Sequence, residues 1–288
     1  MFGDLDPAKG RVLCSGSYSR RKPHLAMLRH TFPKKQLIVD VGSLDAKDAL
    51  GFAGGTGHYV WTFEPSPTKA DTIRSRIKGT NVTFYPMALS DFDGTAQFEM
   101  RRPIGKKARE LVANQFGSDG DMLVARAGSS LAAGNATTNA ASANRVWVDV
   151  PVRTLASLLP ADARILLMKI DAQGTDFRVL RGAGAVLTER RVRHLKFEFA
   201  VEAIPGGFVE AVDGLKFLDR VGYSCIPCFA ASATVSEREA AARSHLSFPM
   251  SATAFVSYYF AAARNGTMGS YDDIVCEPRR QPTEMART

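Results

Sequence analysis

Short apolar runs alternate with longer stretches of helical periodicity along most of this chain, starting near Gln36. Such alternation predicts a mainly parallel sheet with helices on both faces. The apolar Ala252–Phe260 is predicted to be a last strand, antiparallel to the sixth. The first six predicted strands are 36–41, Tyr59–Phe63, Val82–Tyr85, Ile165–Ile170, His194–Phe199 and Tyr223–Ile226. The main predicted helices are 45–53, 67–77, 175–187 and 207–219, and a short one is Thr154–Leu159.

Two alternating runs, Thr95–Met100 and Val146–Val150, predict exposed antiparallel strands. The segment between them, 101–145, is first basic and then rich in Gly, Ala, Ser and Asn, so we expect it to be mobile. It is either a lid over the functional site or a disordered loop. We predict an N-terminal arm (1–35), one domain (36–275) that includes this insert, and a C-terminal tail (276–288).

Composition indicates an ordinary globular protein, with 45% hydrophobic and 23% charged residues among 288. The net charge of +8 favours an anionic partner. The basic clusters lack interleaved aromatic residues, so no nucleic-acid partner is expected. No apolar stretch is long enough to span a membrane, and the N-terminus lacks an apolar signal region, which predicts a cytoplasmic protein or a piece of a larger one. The sequence does not indicate an oligomeric state.

The cysteines include one pair, Cys225 and Cys228, at a spacing used by metal and redox sites. A second pair of metal ligands is missing, and a proline lies within this strand-like stretch. We therefore predict free thiols rather than a metal or redox centre.

The candidate chemistry begins where two predicted strands end, at Val39-Asp40-Val41-Gly42 and Phe63-Glu64-Pro65. A glycine turn and a strand-terminal carboxylate form a pocket for an adenosine-type cofactor, in which the acid accepts the ribose hydroxyls. The chain lacks both G-x-G-x-x-G and the P-loop pattern, which bind phosphates. These absences favour S-adenosylmethionine, whose cationic groups suit Asp40 and Asp171.

A set of motifs occurs in order over roughly 36–200. The motifs are Val39-Asp-Val-Gly42, Phe63-Glu-Pro-Ser-Pro67, Ala88-Leu-Ser-Asp91 with Gly94, Val152-x-Thr-Leu155, Leu167–Asp176, Val179-Leu-Arg-Gly182 and Phe197-Glu198. Together they resemble the FkbM-type methyltransferases. The resemblance implies a Rossmann-like class I methyltransferase fold, in which the last strand of a seven-stranded sheet is antiparallel. It implies S-adenosylmethionine as the donor and O-methylation of a sugar, glycan or secondary-metabolite hydroxyl. The implied donor-binding residues are Asp40, Gly42, Ser43, Asp45, Glu64, Pro65, Ala88 and Asp171.

The sequence departs from this family at two places. The family usually has Ala-Asn and a second glycine after the first, where this chain has Ser43-Leu44-Asp45. It also usually has glutamates at the positions of Gln173 and Asp176. The first departure predicts different contacts to the methionine end of the donor. The second argues against an acid-dependent role at position 173.

Three residues are candidates for catalysis: Asp171, Glu198 and Lys169. Asp171 is placed nearest the transferring methyl group, and Asp171 or Glu198 would be the general base. Together with Asp176 these acids could instead bind a divalent cation, which the proposed reaction does not require. Lys169 is expected to pair with Asp171, Glu198 or Asp40, so a purely structural ion pair is the alternative for Lys169 and Asp171.

The structural alternative for Asp40 is a hydrogen bond to turn amides, and for Glu64 it is capping of the following helix. The insert's basic first part, 101–109, would favour an anionic acceptor. A non-catalytic binding module of the same fold and a nucleotide- or NAD-dependent enzyme are the alternative functions.

Overall fold

The chain forms alternating strands and helices from Leu37 onward, as the hydrophobic pattern predicts. The computed structural model describes residues 13–14, 35–101, 145–231, 250–266 and 271–279. The strands are β1 (Leu37–Val41), β2 (Tyr59–Phe63), β3 (Val82–Tyr85), β4 (Ala88–Leu89), β5 (Gly94–Arg101), β6 (Arg145–Arg153), β7 (Ile165–Ile170), β8 (Val192–Ala200), β9 (Tyr223–Pro227) and β10 (Tyr271–Pro278). The helices are α1 (Lys47–Thr56), α2 (Pro67–Ile77), α3 (Leu155–Leu158), α4 (Asp176–Gly182), α5 (Gly184–Thr188), α6 (Gly207–Arg220), α7 (Cys228–Ala231) and α8 (Ala252–Arg264).

The central sheet has seven strands in the order β3-β2-β1-β7-β8-β10-β9. Strands β3, β2, β1, β7 and β8 are parallel, and β10 is antiparallel to both β8 and β9. The predicted Rossmann-like class I methyltransferase fold is thereby confirmed. The parallel order brings the carboxyl ends of β1, β2, β7 and β8 to one edge, where ligands bind in open α/β sheets.

The core lies on both faces of this sheet, and every residue of β7 is buried. Val39 and Met168 face one layer, which α4, α6 and α8 cover, whereas Ile38 and Leu167 face the layer that includes α1. A strand that is buried on both faces reads as a continuous apolar run, which explains why the sequence pattern located β7 correctly.

A second sheet has the order β4-β6-β5 and lies beside the central sheet's carboxyl edge. Strands β5 and β6 pair in antiparallel register from Gly94 with Val152 to Arg101 with Arg145. Their buried side chains, including Phe98 and Val150, form a small apolar cluster with Ala88. The predicted insert joins these strands and lies, apart from its ends, outside the described residues, as does most of the N-terminal arm.

The predicted strand Ala252–Phe260 is wrong, because this segment belongs to helix α8. Its buried residues Ala252, Phe255, Val256, Tyr259 and Ala262 recur at helical spacing, and Ser251 caps the helix by accepting a hydrogen bond from the Ala254 amide. The last strand is instead β10. Its central residues are buried, but the polar residues at both ends obscured the strand pattern in the sequence. The predicted helix 175–187 is two helices, since α4 ends before Ala183 and α5 follows it.

The prediction of free thiols is also wrong. Cys14 is bonded to Cys228, and Cys225 is bonded to Cys276. The second bond joins opposed residues of β9 and β10, and the first attaches the N-terminal segment beside them. Cys225 and Cys228 therefore have different partners, which their short spacing in the sequence could not show.

None of the helices in the described ranges is long and apolar enough to cross a membrane.

Candidate functional site

A pocket opens at the carboxyl ends of β1, β2 and β7, where the topology predicts a ligand site. It contains about 440 Å³ of space that is partly open to solvent. The pocket is lined by both apolar and polar residues. The lining residues are Val41, Gly42, Phe63, Glu64, Pro65, Met87, Ala88, Leu89, Phe98, Asp171, Ala172, Gln173 and Thr175.

The turn after β1 is shaped by its contact with the end of β7. A Cβ atom at Gly42 would lie 1.8 Å from the Asp171 carbonyl oxygen, and the residue has a φ of +77°. Glycine is thus required by the neighbouring backbone as well as by the turn. Leu44 and Ala46, with φ of 54° and 61°, are in the left-handed region that non-glycine residues seldom adopt. The turn that departs from the family pattern is therefore also conformationally strained.

Glu64 is held at the pocket wall by two backbone amides. Leu44 N and Ser66 N each donate to its carboxylate, at 2.9 Å in both cases. The side chain is buried, and these bonds link the turn after β1 to the start of α2. A carboxylate has about four acceptor sites, so ribose hydroxyls and these amides can bind to it together.

Asp40 lies within the sheet and does not line the pocket. Its carboxylate accepts a hydrogen bond from Thr62 Oγ1 at 3.0 Å and lies 3.5 Å from Lys169 Nζ. Complete burial raises its pKa above the ordinary value. Lys169 also lies 3.0 Å from Asp48 and 3.5 Å from Asp171. Lys169 thus joins β1, α1 and the end of β7, and Asp48 is a partner that the sequence did not indicate.

Asp171, Gln173 and Glu198 converge at the end of β7 and β8. Gln173 Nε2 lies 2.9 Å from Asp171 Oδ1 and 3.4 Å from Glu198 Oε2. Burial, followed by repulsion from Asp171 and Asp176, raises the pKa of Glu198 to about 8. A carboxyl group that titrates near neutral pH is suited to exchange a proton.

Asp176 closes the turn that follows β7. Its two oxygens accept hydrogen bonds from Ala172 N at 3.2 Å and Gly174 N at 3.0 Å. Burial, with repulsion from Asp171, raises its pKa to about 7. Both oxygens are engaged by backbone amides, so Asp176 supports the turn.

The remaining predicted donor residues occupy different environments. Pro65 and Ala88 line the pocket. Ser43 is buried, and its Oγ has no hydrogen-bond partner among the described residues. Asp45 faces away toward Lys47 and Arg76, at 2.8 Å and 2.7 Å.

Several lining residues were missed, notably Met87, Leu89, Phe98 and Thr175. In the sequence, Phe98 could be recognised only as one of the inward-facing positions in the alternating apolar and polar pattern of β5. Among the described residues, no three or more His, Cys, Asp or Glu side chains form a group suited to hold a metal ion.

The family-like motifs after Asp171 pack against those before it. A Cβ at Gly182 would lie 1.8 Å from the Ser90 carbonyl oxygen, so α4 approaches the loop that follows β4 very closely. Arg181 pairs with Asp91 at 3.1 Å and with Glu210 at 2.8 Å. These contacts hold α4 against the loop that follows β4.

Replacing Glu198 by glutamine is expected to flatten the pH dependence of stability. The pKa of Glu198 is about 8 in the folded protein and close to the ordinary value of 4.5 in the unfolded chain. At pH values between these two, Glu198 keeps its proton in the folded protein and releases it on unfolding. The unfolding free energy of the wild type therefore falls as pH rises through this window, by at most about 1.4 kcal/mol per pH unit from this group. Urea unfolding at pH 5, 6, 7 and 8 measures the difference in slope.

Glu202→Gln is the matched control, because Glu202 follows β8 and is exposed. The unfolding free energy of Glu202→Gln should change with pH as that of the wild type does. If the unfolding free energy of Glu198→Gln also followed the wild-type pH dependence, the raised pKa of Glu198 would be contradicted.

The family model of the FkbM methyltransferase domain matches residues 40–225, which begin within β1 and end within β9. An FkbM methyltransferase from Methylobacillus flagellatus KT is similar in structure, with 15% identity and a TM-score of 0.44 over 77% of this chain and 46% of that one. This chain thus spans about half the length of that protein.

Other similar structures are more remote. An rRNA methylase from Streptococcus thermophilus shows 9% identity and a TM-score of 0.40, over 89% of this chain and 95% of that one. A precorrin-6y C5,15-methyltransferase from Geobacter metallireducens GS-15 shows 11% identity and a TM-score of 0.34, over 72% and 74%. No curated protein matches the sequence. With the family model covering most of its length, the chain belongs to the FkbM methyltransferase family.

Proposed function

We propose that this chain transfers a methyl group from S-adenosylmethionine to a hydroxyl group of a sugar, glycan or secondary metabolite. The observation on which the proposal rests is the pocket at the carboxyl edge, which is lined by both Glu64 and Asp171. Family membership supports methyl transfer, and the pocket's chemistry supports the donor.

The pocket residues fit the adenosine part of this donor. Phe63, Met87 and Phe98 offer apolar surface for a planar base, and Glu64 offers carboxylate oxygens for two ribose hydroxyls. The buried Ser43 Oγ supplies a hydrogen-bonding group at the glycine turn. Asp40 contributes indirectly, because it holds Lys169 behind the turn. Asp45 is directed toward Arg76, so we assign it no donor contact.

The donor supplies a methyl group on a positively charged sulfur, which needs no further activation. The protein must hold the acceptor oxygen in line, about 3 Å from the methyl carbon, and accept the hydroxyl proton. As the carbon–oxygen bond forms and the carbon–sulfur bond breaks, that proton passes to a carboxylate. Asp171 is the proposed base because it lines the pocket, and Glu198 lies beyond Gln173 as its partner.

The acidic character of this end of the site favours an uncharged hydroxyl at the reacting position. The carboxylate of Asp171, which lines the pocket, would repel an anionic group placed beside it. The predicted preference for an anionic acceptor depended on the basic segment 101–109, which lies, apart from Arg101, outside the described residues. No step that requires a metal is part of this proposal.

Glu64→Ala is expected to weaken S-adenosylhomocysteine binding by about 100-fold. Loss of two hydrogen bonds to a charged group amounts to about 3 kcal/mol, which corresponds to this factor. Isothermal titration calorimetry measures the affinity, and circular dichroism confirms that the variant is folded.

Asp71→Ala is the matched control, since Asp71 lies on α2, is exposed and pairs with exposed Arg74. Wild-type protein that does not bind S-adenosylhomocysteine would overturn the proposed donor. Binding without turnover over a panel of sugars and glycolipids would favour the non-catalytic alternative.

We further propose that the protein acquires its disulfides in an oxidising compartment, in place of the cytoplasm predicted from the sequence. All four cysteines are paired, and disulfides rarely persist in reducing compartments.

A further inference from the structure

Gln173 occupies a turn that is fixed on both sides. Its own φ is 51°, and Gly174 follows with a φ of 92°. Asp176 accepts hydrogen bonds from the amides of Ala172 and Gly174, which flank Gln173. A Cβ at Gly174 would lie 2.0 Å from the Ala203 carbonyl oxygen, so the turn is clamped against the loop after β8. The backbone therefore leaves the Gln173 side chain little choice of direction.

The amide of Gln173 lies between two acids that come from different strands. It donates to Asp171 Oδ1 at 2.9 Å and to Glu198 Oε2 at 3.4 Å, and it lines the pocket. A side-chain amide nitrogen has two hydrogens, so it can donate to both carboxylates together. In the part of the chain that the structure describes, Gln173 is the residue that links these two acids by hydrogen bonds.

Several charged side chains surround Glu198 and influence whether it is ionised. Asp176 from α4 and Asp273 from β10 face Glu198 and disfavour its ionised form. Lys169 favours that form, but its ammonium group also lies 3.0 Å from Asp48. Lys196 of β8 lies 2.8 Å from Asp273. Both lysines are thus shared with other acids.

A neutral donor at position 173 has consequences that a carboxylate would not have. Glutamine supplies hydrogen bonds to both carboxyl groups without adding a charge. A glutamate at this position would place a further carboxylate against Asp171 and Glu198. This residue is therefore suited to keep the two acids close together and able to accept a proton.

We propose that Gln173 is a positioning residue, whose amide joins Asp171 and Glu198 into one hydrogen-bonded, proton-accepting pair at the pocket. The inference rests on the proposed function, because this pair would receive the proton of the acceptor hydroxyl. Gln173 itself neither gains nor loses a proton in this role.

The test is a pH titration of the carboxyl groups in the full-length protein. Carbon-13 NMR with labelled aspartate and glutamate monitors the titration. Glu198→Gln and Asp171→Asn identify the two resonances. In Gln173→Leu the pair loses its donor, so the Glu198 midpoint should rise by about half a pH unit or more. In Gln173→Glu the added charge should raise it further.

Gln97→Leu is the control for the substitution, because Gln97 is exposed on β5. A purely structural role would lower the melting temperature of the Gln173 variants and leave both midpoints unchanged, which would overturn the inference. If Gln173→Leu does not fold, Gln173→Asn withdraws the amide from Glu198 and provides the same comparison.

This titration needs neither donor nor acceptor. Calorimetry with S-adenosylhomocysteine on the wild type tests the proposed function separately. A failure of binding and an unchanged midpoint are therefore distinguishable results.

Discussion

Replacing Cys225 and Cys276 together by alanine is expected to lower the free energy of unfolding by about 4 kcal/mol. The bond closes a loop with a sequence separation of 51 residues, and the chain-entropy estimate for such a loop gives this value. Both sulfurs are buried, and the bond joins the two strands at the edge of the sheet. Urea unfolding of the variant and the wild type, both without reductant, measures the loss.

A thiol count in denaturant accompanies this experiment. Protein secreted into an oxidising compartment should show no free thiols, and four after reduction. A variant without cysteines is the control, because dithiothreitol should not change its stability. Four free thiols in the oxidised preparation would contradict both the disulfides and the proposed compartment.

Asp171→Asn is expected to lower turnover by about 100- to 10,000-fold, which is the usual contribution of a general base. Asparagine keeps the shape of the side chain and can still accept a hydrogen bond from Gln173, but it cannot take a proton. Asp171 is at the pocket wall, whereas the predicted ribose contact is on Glu64. S-adenosylhomocysteine affinity should therefore change little. Turnover is measured with the best acceptor from the panel, and affinity by calorimetry.

Asp162→Asn is the matched control, because Asp162 is exposed and precedes the same strand that Asp171 follows. It should retain wild-type turnover. If Asp171→Asn also retained it, Asp171 would not be the base, and Glu198 would be the next residue to test.

Strong local patterns allowed much of the fold to be predicted. The strands β2, β3 and β7 and the helix α2 have the predicted bounds, because each is a single apolar or amphipathic run between clear turn residues. The last strand was missed because β10 begins with Tyr271-Asp272-Asp273 and ends with Glu277-Pro278. Its burial comes from pairing between β8 and β9, which local polarity does not reveal.

The site was predictable where chain order alone places residues at the carboxyl edge. Gly42, Glu64 and Asp171 each follow or end a parallel strand, and all three line the pocket. Asp40 was harder to judge, since its neighbour Val41 lines the pocket while Asp40 faces Lys169 and Thr62. Successive residues of a strand point to opposite faces, so one position separates a pocket residue from a buried ion pair.

The sequence by itself determined six of the seven strands of the central sheet, the family and the edge at which the site lies, because these depend on local periodicity and ordered motifs. Tertiary structure alone decided which segment forms the seventh strand, which cysteines are bonded, that Asp48 shares Lys169, and that Gln173 lies between Asp171 and Glu198. These contacts depend on how the elements pack in three dimensions: α1 brings Asp48 to Lys169 of β7, and β10 pairs with β9. A pattern of apolar and polar positions does not specify such packing.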